Sequence, residues 1–110
     1  MKIKNVVYVG GSYRNSKEYQ VHLNILLAEK YSLALWKMGY VPLTPHKNFC
    51  YFGGELSDQY ILDSCIELLK RCDYIYLLPN WKTSEGTKRE YQFAKENGIP
   101  VLNDEVQLSI

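Results

Sequence analysis

Short β-rich apolar runs alternate along the chain with longer segments whose apolar residues recur every three or four positions. Val6-Val7-Tyr8-Val9, preceded by Ile3, ends at Gly10-Gly11-Ser12 and reads as a buried first strand. Leu23, Leu27, Tyr31, Ala34, Leu35 and Met38 then follow at helical spacing, with Glu29, Lys30 and Lys37 between them and Gly39 as a stop. This predicts a long amphipathic helix. Tyr40-Val41-Pro42-Leu43 predicts a second strand, whose proline suits an edge position or an early finish. Residues 44–57 are rich in proline, glycine and aromatics and predict a long loop. Ser57 is placed to cap a second helix with Ile61, Leu62, Cys65, Ile66, Leu69 and Cys72 on its apolar face. Asp73 opens the strand Tyr74-Ile75-Tyr76-Leu77-Leu78, which Pro79 ends. Ser84 caps a third helix that stops at Asn97-Gly98, and Ile99-Pro100-Val101-Leu102 is the last clear strand. Val106 to Ile110 reads as a fifth strand or as a tail.

Strands near 3–9, 40–43, 74–78 and 99–102, separated by helices, imply parallel βαβ units and a small three-layer α/β domain. The 110 residues are enough for one core, so a single domain spans 1–110. In an open parallel sheet, ligands sit beyond the carboxyl ends of the strands. The loops that meet this rim are Gly10–Asn15, Thr44–Gly54 and Pro79–Gly86.

The first of these loops, Gly10-Gly11-Ser12-Tyr13-Arg14, offers close backbone approach, a hydroxyl and a guanidinium, all suited to a phosphate or a sugar hydroxyl. It has neither the Lys-Ser/Thr ending of a P-loop nor a Gly-x-Gly-x-x-Gly run, and an ordinary strand-to-helix turn would look the same. Ser84-Glu85-Gly86-Thr87 opens a helix, whose free N–H groups and positive dipole end can hold an anion. On a 3.6-residue period Glu90 shares a stripe with Thr87, Tyr91 and Ala94, either as a carboxylate facing the site or as a solvated or paired residue at the stripe's edge. His46 suits an acid, a hydrogen-bonding role or a plain loop position. Asp73 reads as a helix–strand junction. Trp81 and the aromatics at 49–52 could stack a nucleobase or cover core or interface.

Thirteen basic against twelve acidic residues leave a net charge of +1, which argues against a duplex nucleic acid partner. No apolar run reaches the roughly 18 residues of a membrane span, and the start of the chain lacks the pattern of a signal peptide. Cys50, Cys65 and Cys72 are odd in number and lack Cys-x-x-Cys spacing, so neither a disulfide framework nor a zinc site is expected. Cys65 and Cys72 read as buried thiols of a reducing cytoplasm. No metal and no cofactor are called for. Ten tyrosines, two tryptophans and three phenylalanines exceed what one small core needs, which predicts a homodimer or higher homo-oligomer.

The order Tyr8-x-x-Gly11-Ser12-Tyr13-Arg14, Pro45-His46, Cys72-Asp73-x-Ile75-Tyr76-Leu77-Leu78-Pro79-x-Trp81 and Ser84-x-Gly86-x-x-x-Glu90-x-x-x-Ala94-x-x-x-Gly98-Ile99-Pro100-Val101 resembles the nucleoside 2-deoxyribosyltransferase-like superfamily. The likeness extends to enzymes that hydrolyse 2′-deoxynucleoside 5′-monophosphates and to the small bacterial and phage members of the superfamily. It implies a flavodoxin-like three-layer sandwich with a four- or five-stranded parallel sheet. It also implies cleavage or transfer at the N-glycosidic bond of a deoxynucleoside or its 5′-monophosphate, and homo-oligomers that complete their sites across interfaces. Carried over by motif, Glu90 is the nucleophile and Ser84 a phosphate contact. Gly11, Ser12, Tyr13, Arg14, His46 and Gly86 fall among the substrate-binding positions. Active members carry a carboxylate eight residues before the position of Asp73 that assists base departure. Here that place is Cys65, and the neighbouring Asp63 and Glu67 are turned away from it by about 200°.

Three readings follow for the chain: an N-glycosidase or deoxyribosyltransferase acting through Glu90, a nucleotide-binding module without turnover, or an oligomer-forming domain with an idle pocket.

Overall fold

The computed structural model describes residues 5–108 and 110. Its elements are β1 (Val6–Gly10), α1 (Glu18–Lys37), β2 (Val41–Leu43), α2 (Pro45–Phe49), α3 (Asp58–Leu69), β3 (Tyr74–Leu77) and α4 (Glu85–Glu96). Short 3-10 turns follow at Trp81–Thr83 and Leu102–Asp104. The strands form one parallel sheet in the order β2-β1-β3, with Val6 opposite Val41 and Tyr8 opposite Ile75. The sheet order reverses at β1, so the cleft between β1 and β3 is the switch point where open α/β sheets receive ligands.

Alternation along the strands divides the core in two. Val7 and Val9 of β1 and Tyr76 of β3 point to one face and pack with Ala28 and Leu35 of α1 and with Leu102. Tyr8, Ile75 and Leu77 point to the other and pack with Ile61, Cys65 and Leu69 of α3 and Ala94 of α4. Helices therefore cover both faces, and the fold is a three-layer α/β sandwich of flavodoxin-like order.

Several boundaries differ from the sequence pattern. Ile3 lies outside the described residues, and the first strand begins at Val6. Pro45 sits at the first turn of α2, where its missing N–H costs nothing, and so a helical turn stands within the expected loop. Among the described residues the sheet has three strands rather than four or five. Of the segment 99–102 only Val101 bridges to Ile75. The chain then turns into the 3-10 segment, and Asn103 takes over the edge of β3: its side chain donates to Leu77 O (2.9 Å) and accepts from Leu77 N (2.8 Å). No strand forms among the described residues of 106–110, where Val106 and Leu108 pack against the α1-side core. Pro42 does lie in an edge strand.

α1 turns a different face inward from the one its apolar spacing suggests. Its buried residues are Asn24, Ala28, Ser32 and Leu35, while Leu23 and Met38 are exposed. The two buried polar side chains are satisfied and tie down neighbouring loops. Asn24 donates to Tyr13 O (3.1 Å) and accepts from Gln20 (3.0 Å), and the Ser32 and Thr44 hydroxyls share a 2.6 Å bond. Apolar residues on nearly all sides of the helix leave periodicity unable to choose the inner one. Among the described residues, no helix is long and apolar enough to cross a membrane.

Candidate active site

A cavity of about 330 Å³ opens at the carboxyl rim of the sheet, within the range of small-molecule sites. Gly11, Ser12, Tyr13 and Arg14 line it from the β1–α1 loop, His46 from α2, and Ser84, Gly86 and Glu90 from the start of α4. All eight candidates from the sequence thus border one space. Tyr8, Asp58 and Cys65 border it as well.

Backbone proximity makes this convergence possible. A Cβ on Gly10 would meet Thr87 Cγ2 at 3.1 Å and Glu90 Oε1 at 3.5 Å. A Cβ on Gly11 would collide with Leu78 at 2.6 Å and with Asn80 Oδ1 at 2.8 Å. Glycine at these two positions lets the end of β1 touch α4 and the turn after β3. Asn80 then secures the loop, accepting from Ser12 N (3.1 Å) and, through its carbonyl, from Ser12 Oγ (2.8 Å).

Glu90 is 7% exposed, and among the described residues no cation pairs with it; its neighbour Arg89 pairs with Asp63 instead. Its Oε2 accepts a 2.8 Å hydrogen bond from Tyr8, itself 1% exposed. Burial pushes the Glu90 carboxyl up to about 7, opposed by the Tyr8 hydrogen bond and by the charge of Arg89. The Tyr8 hydroxyl is pushed well up, by burial first and then by the Glu90 charge. Cys65 adjoins Tyr8, and burial pushes its thiol up to about 11. The floor thus holds one carboxylate whose charge is in play near neutral pH, beside a phenol and a thiol that stay protonated.

At the rim, Ser84 caps α4: its Oγ accepts from Thr87 N (3.1 Å) and Thr87 Oγ1 (3.0 Å), which leaves its own proton free to donate. Arg14 meets Asp58 of α3 at 2.5 Å. Two turns of α3 bring Asp58 onto the side of the helix that carries Cys65, since seven residues close two turns almost completely. Asp63 points elsewhere and pairs with Arg89 (2.9 Å), while Glu67 pairs with Lys70 and Arg71. Neither replaces a carboxylate at position 65.

His46 is buried, and its Nε2 lies 2.9 Å from Ser12 O. A carbonyl only accepts, so Nε2 carries the proton and Nδ1 is a bare acceptor. That Nδ1 has no partner among the described residues. Burial lowers the His46 pKa, which keeps the ring neutral. Tyr13 packs edge-on against His46 (5.8 Å) and Phe49 (4.7 Å).

The other aromatic candidates divide. Trp81 covers the α3–α4 core and packs on Tyr91 at 5.0 Å, whereas Tyr51 and Phe52 are exposed. Asp73 ties the start of β3 to β1, accepting from Val6 N at 3.1 Å. Among the described residues, no group of three or more His, Cys, Asp or Glu side chains is placed to hold a metal ion. Pattern reading of the rim missed Tyr8 and Asp58. Tyr8 had a signal, since a phenol in the middle of a buried strand needs a polar partner beneath the sheet.

No curated protein matches the chain. A family described as "Domain of unknown function (DUF4406)" matches residues 5–103, a stretch that holds the whole sheet, its helices and every cavity residue named above. The chain belongs to this family of DUF4406 domains.

Proposed function

We propose that the cavity binds a 2′-deoxynucleoside or its 5′-monophosphate and that Glu90 cleaves or exchanges the N-glycosidic bond, as in the nucleoside 2-deoxyribosyltransferase-like enzymes that the sequence resembles. The observation that carries this reading is Glu90 itself: a buried carboxylate at the floor of an open cavity, five residues into a helix whose capped N-terminus forms the rim. A carboxylate so buried, in a cleft and beside a helix N-terminus, is a candidate functional group. A Glu90 oxygen attacks the anomeric carbon. The bond to the base nitrogen breaks, and its electron pair leaves with the base, which takes up a proton. Water or an acceptor base then attacks the glycosyl ester and frees the carboxylate. Ser84 and the N–H groups after it hold the 5′ end, with Arg14 adding positive charge once it leaves Asp58.

The second reading is a binding module without turnover, and one observation favours it. At the position where the related enzymes carry an aspartate stands Cys65, a thiol too weakly acidic to assist base departure. We further take the protein to work as a homodimer or larger homo-oligomer in the cytoplasm, with no duplex nucleic acid as partner. Its aromatic content and near-neutral charge support this.

Incubation with deoxynucleosides and their monophosphates, followed by chromatography for free base, tests the enzyme reading. Base release should fall by ~10³ or more in Glu90→Ala, because little else can replace a covalent catalyst. Binding of a nucleotide in a thermal-shift panel without base release, and its loss in Ser84→Ala, establishes the binding module instead. Neither release nor binding defeats both.

A further inference from the structure

Charge around the cavity is unevenly shared. Arg14 is the one cation among the described residues that line it, against three carboxylates, Asp58, Glu85 and Glu90. His46 lines it as well, but burial keeps that ring neutral. Arg14 is already engaged, meeting Asp58 at 2.5 Å and so linking the β1–α1 loop to the start of α3. Beside the rim, Lys88 leans on Glu85 at 3.3 Å. Both cations therefore hold an acid before any ligand arrives, and Glu90 adds a further negative charge whenever it is ionised to attack.

The hydrogen-bond donors of the rim are committed in the same way. The Ser12 and Thr83 hydroxyls lie 2.7 Å apart, and each also lies 2.8 Å from Asn80 O, so their protons stay within the protein. In the first turn of α4, the Thr87 N–H goes to Ser84 Oγ and the Lys88 N–H to Ser84 O. The helix start thus offers the N–H groups of Glu85 and Gly86 and the Ser84 proton. That set can satisfy the single oxygen of a 5′-hydroxyl. A phosphate brings three oxygens and about two negative charges, and it needs Arg14 as well. To supply it, Arg14 would have to leave Asp58, whose carboxylate would then stand unpaired beside a dianion. Ser57 caps α3 by accepting from Tyr60 N (3.1 Å), which fixes the backbone that carries Asp58 at the rim.

We propose that Asp58 is a specificity residue: by holding Arg14, it makes the site select the uncharged 2′-deoxynucleoside over its 5′-monophosphate. This rests on the nucleoside reading of the preceding section and narrows it.

Calorimetry at fixed ionic strength tests the proposal on wild type, on Asp58→Asn, and on Asp58→Asn combined with Arg14→Gln. The probes are the common 2′-deoxynucleosides, their 5′-monophosphates and inorganic phosphate. Wild type should bind a nucleoside more tightly than its monophosphate. In Asp58→Asn the ratio of the two affinities should move toward the monophosphate by about threefold to tenfold, and phosphate should gain by a similar factor. The double variant should lose both gains, because they depend on a freed Arg14. A substitution that only loosened the fold would weaken nucleoside and monophosphate alike and leave their ratio in place. A wild type that prefers the monophosphate, or a ratio that Asp58→Asn leaves within about twofold of wild type, would overturn the proposal while the N-glycosidase reading stands. Binding of no nucleoside or nucleotide at all would instead defeat that reading. Asp58 is then judged on phosphate alone, and equal phosphate affinity in wild type and Asp58→Asn overturns its role.

Discussion

Tyr8 and Glu90, 82 residues apart, share a 2.8 Å hydrogen bond in the interior between β1 and α4. The bond points one carboxylate oxygen at the strand and leaves the other beside Gly10. It also stabilises the charged form that a nucleophile needs, against a burial that disfavours it. Base release should therefore rise with pH through about 7 as Glu90 loses its proton. Tyr8→Phe removes the donor, and the pH at half-maximal kcat/KM should move upward. A side chain with only a packing role would lower the rate without moving that midpoint.

The same proton links Glu90 to stability. Its carboxyl titrates at about 7 in the folded chain against an ordinary 4.5, so the native state holds the proton more tightly than the unfolded state. That contribution is fully present below pH 4.5 and is lost as pH rises through 7, by up to roughly 3 kcal/mol. Glu90→Gln keeps an acceptor for Tyr8 and removes the charge. Denaturant titrations should find it more stable than wild type at pH 8 and nearly equal at pH 4. A pH-independent difference would contradict this.

Gly11→Ala should cost stability through simple collision. The added Cβ would lie 2.6 Å from Leu78 and 2.8 Å from Asn80 Oδ1, inside contact distance. The strain is of the kind that costs about 1–3 kcal/mol in a packed interior. Because Asn80 also holds Ser12, urea unfolding should show a lower midpoint and ligand titrations a weaker site together.

Ser84→Ala separates a structural role from a binding role. Loss of the cap on Thr87 N should cost about 1 kcal/mol. If the Ser84 proton also meets a 5′-phosphate, calorimetry should show a monophosphate losing more affinity than its parent nucleoside. Equal losses would leave Ser84 as a cap alone.

Local chemistry foretold more of this molecule than long-range chemistry did. Ser57 and Ser84 cap the helices that begin beside them, and Gly39 and Gly98 stop theirs with φ of +93° and +71°, where a side chain would be strained. Each of these depends on neighbours a few residues away. The rim could be placed from strand order alone, because parallel strands end on one edge, and this brings Ser12, His46 and Glu90 together. Three features depended on tertiary partners instead. α1 buries Asn24 and Ser32 because Tyr13 and Thr44 are there to receive them. His46 goes inside because Ser12 offers a carbonyl. The segment after Val101 leaves the sheet because the Asn103 amide can take the place of a strand.

That amide has a bearing on how copies of the chain avoid sticking to one another. β3 is a sheet edge rich in tyrosine, isoleucine and leucine, and a bare edge of that kind recruits strands from other molecules into fibrils. By occupying both the N–H and the C=O of Leu77, Asn103 acts as a stopper that a passing strand cannot displace without breaking two bonds. Asn103→Ala should pull the stopper without disturbing the cavity. Its mark would be faster growth of thioflavin-positive aggregates on mild heating, seeded from the Leu77 end of an edge whose other end stays covered by the bridge from Val101 to Ile75.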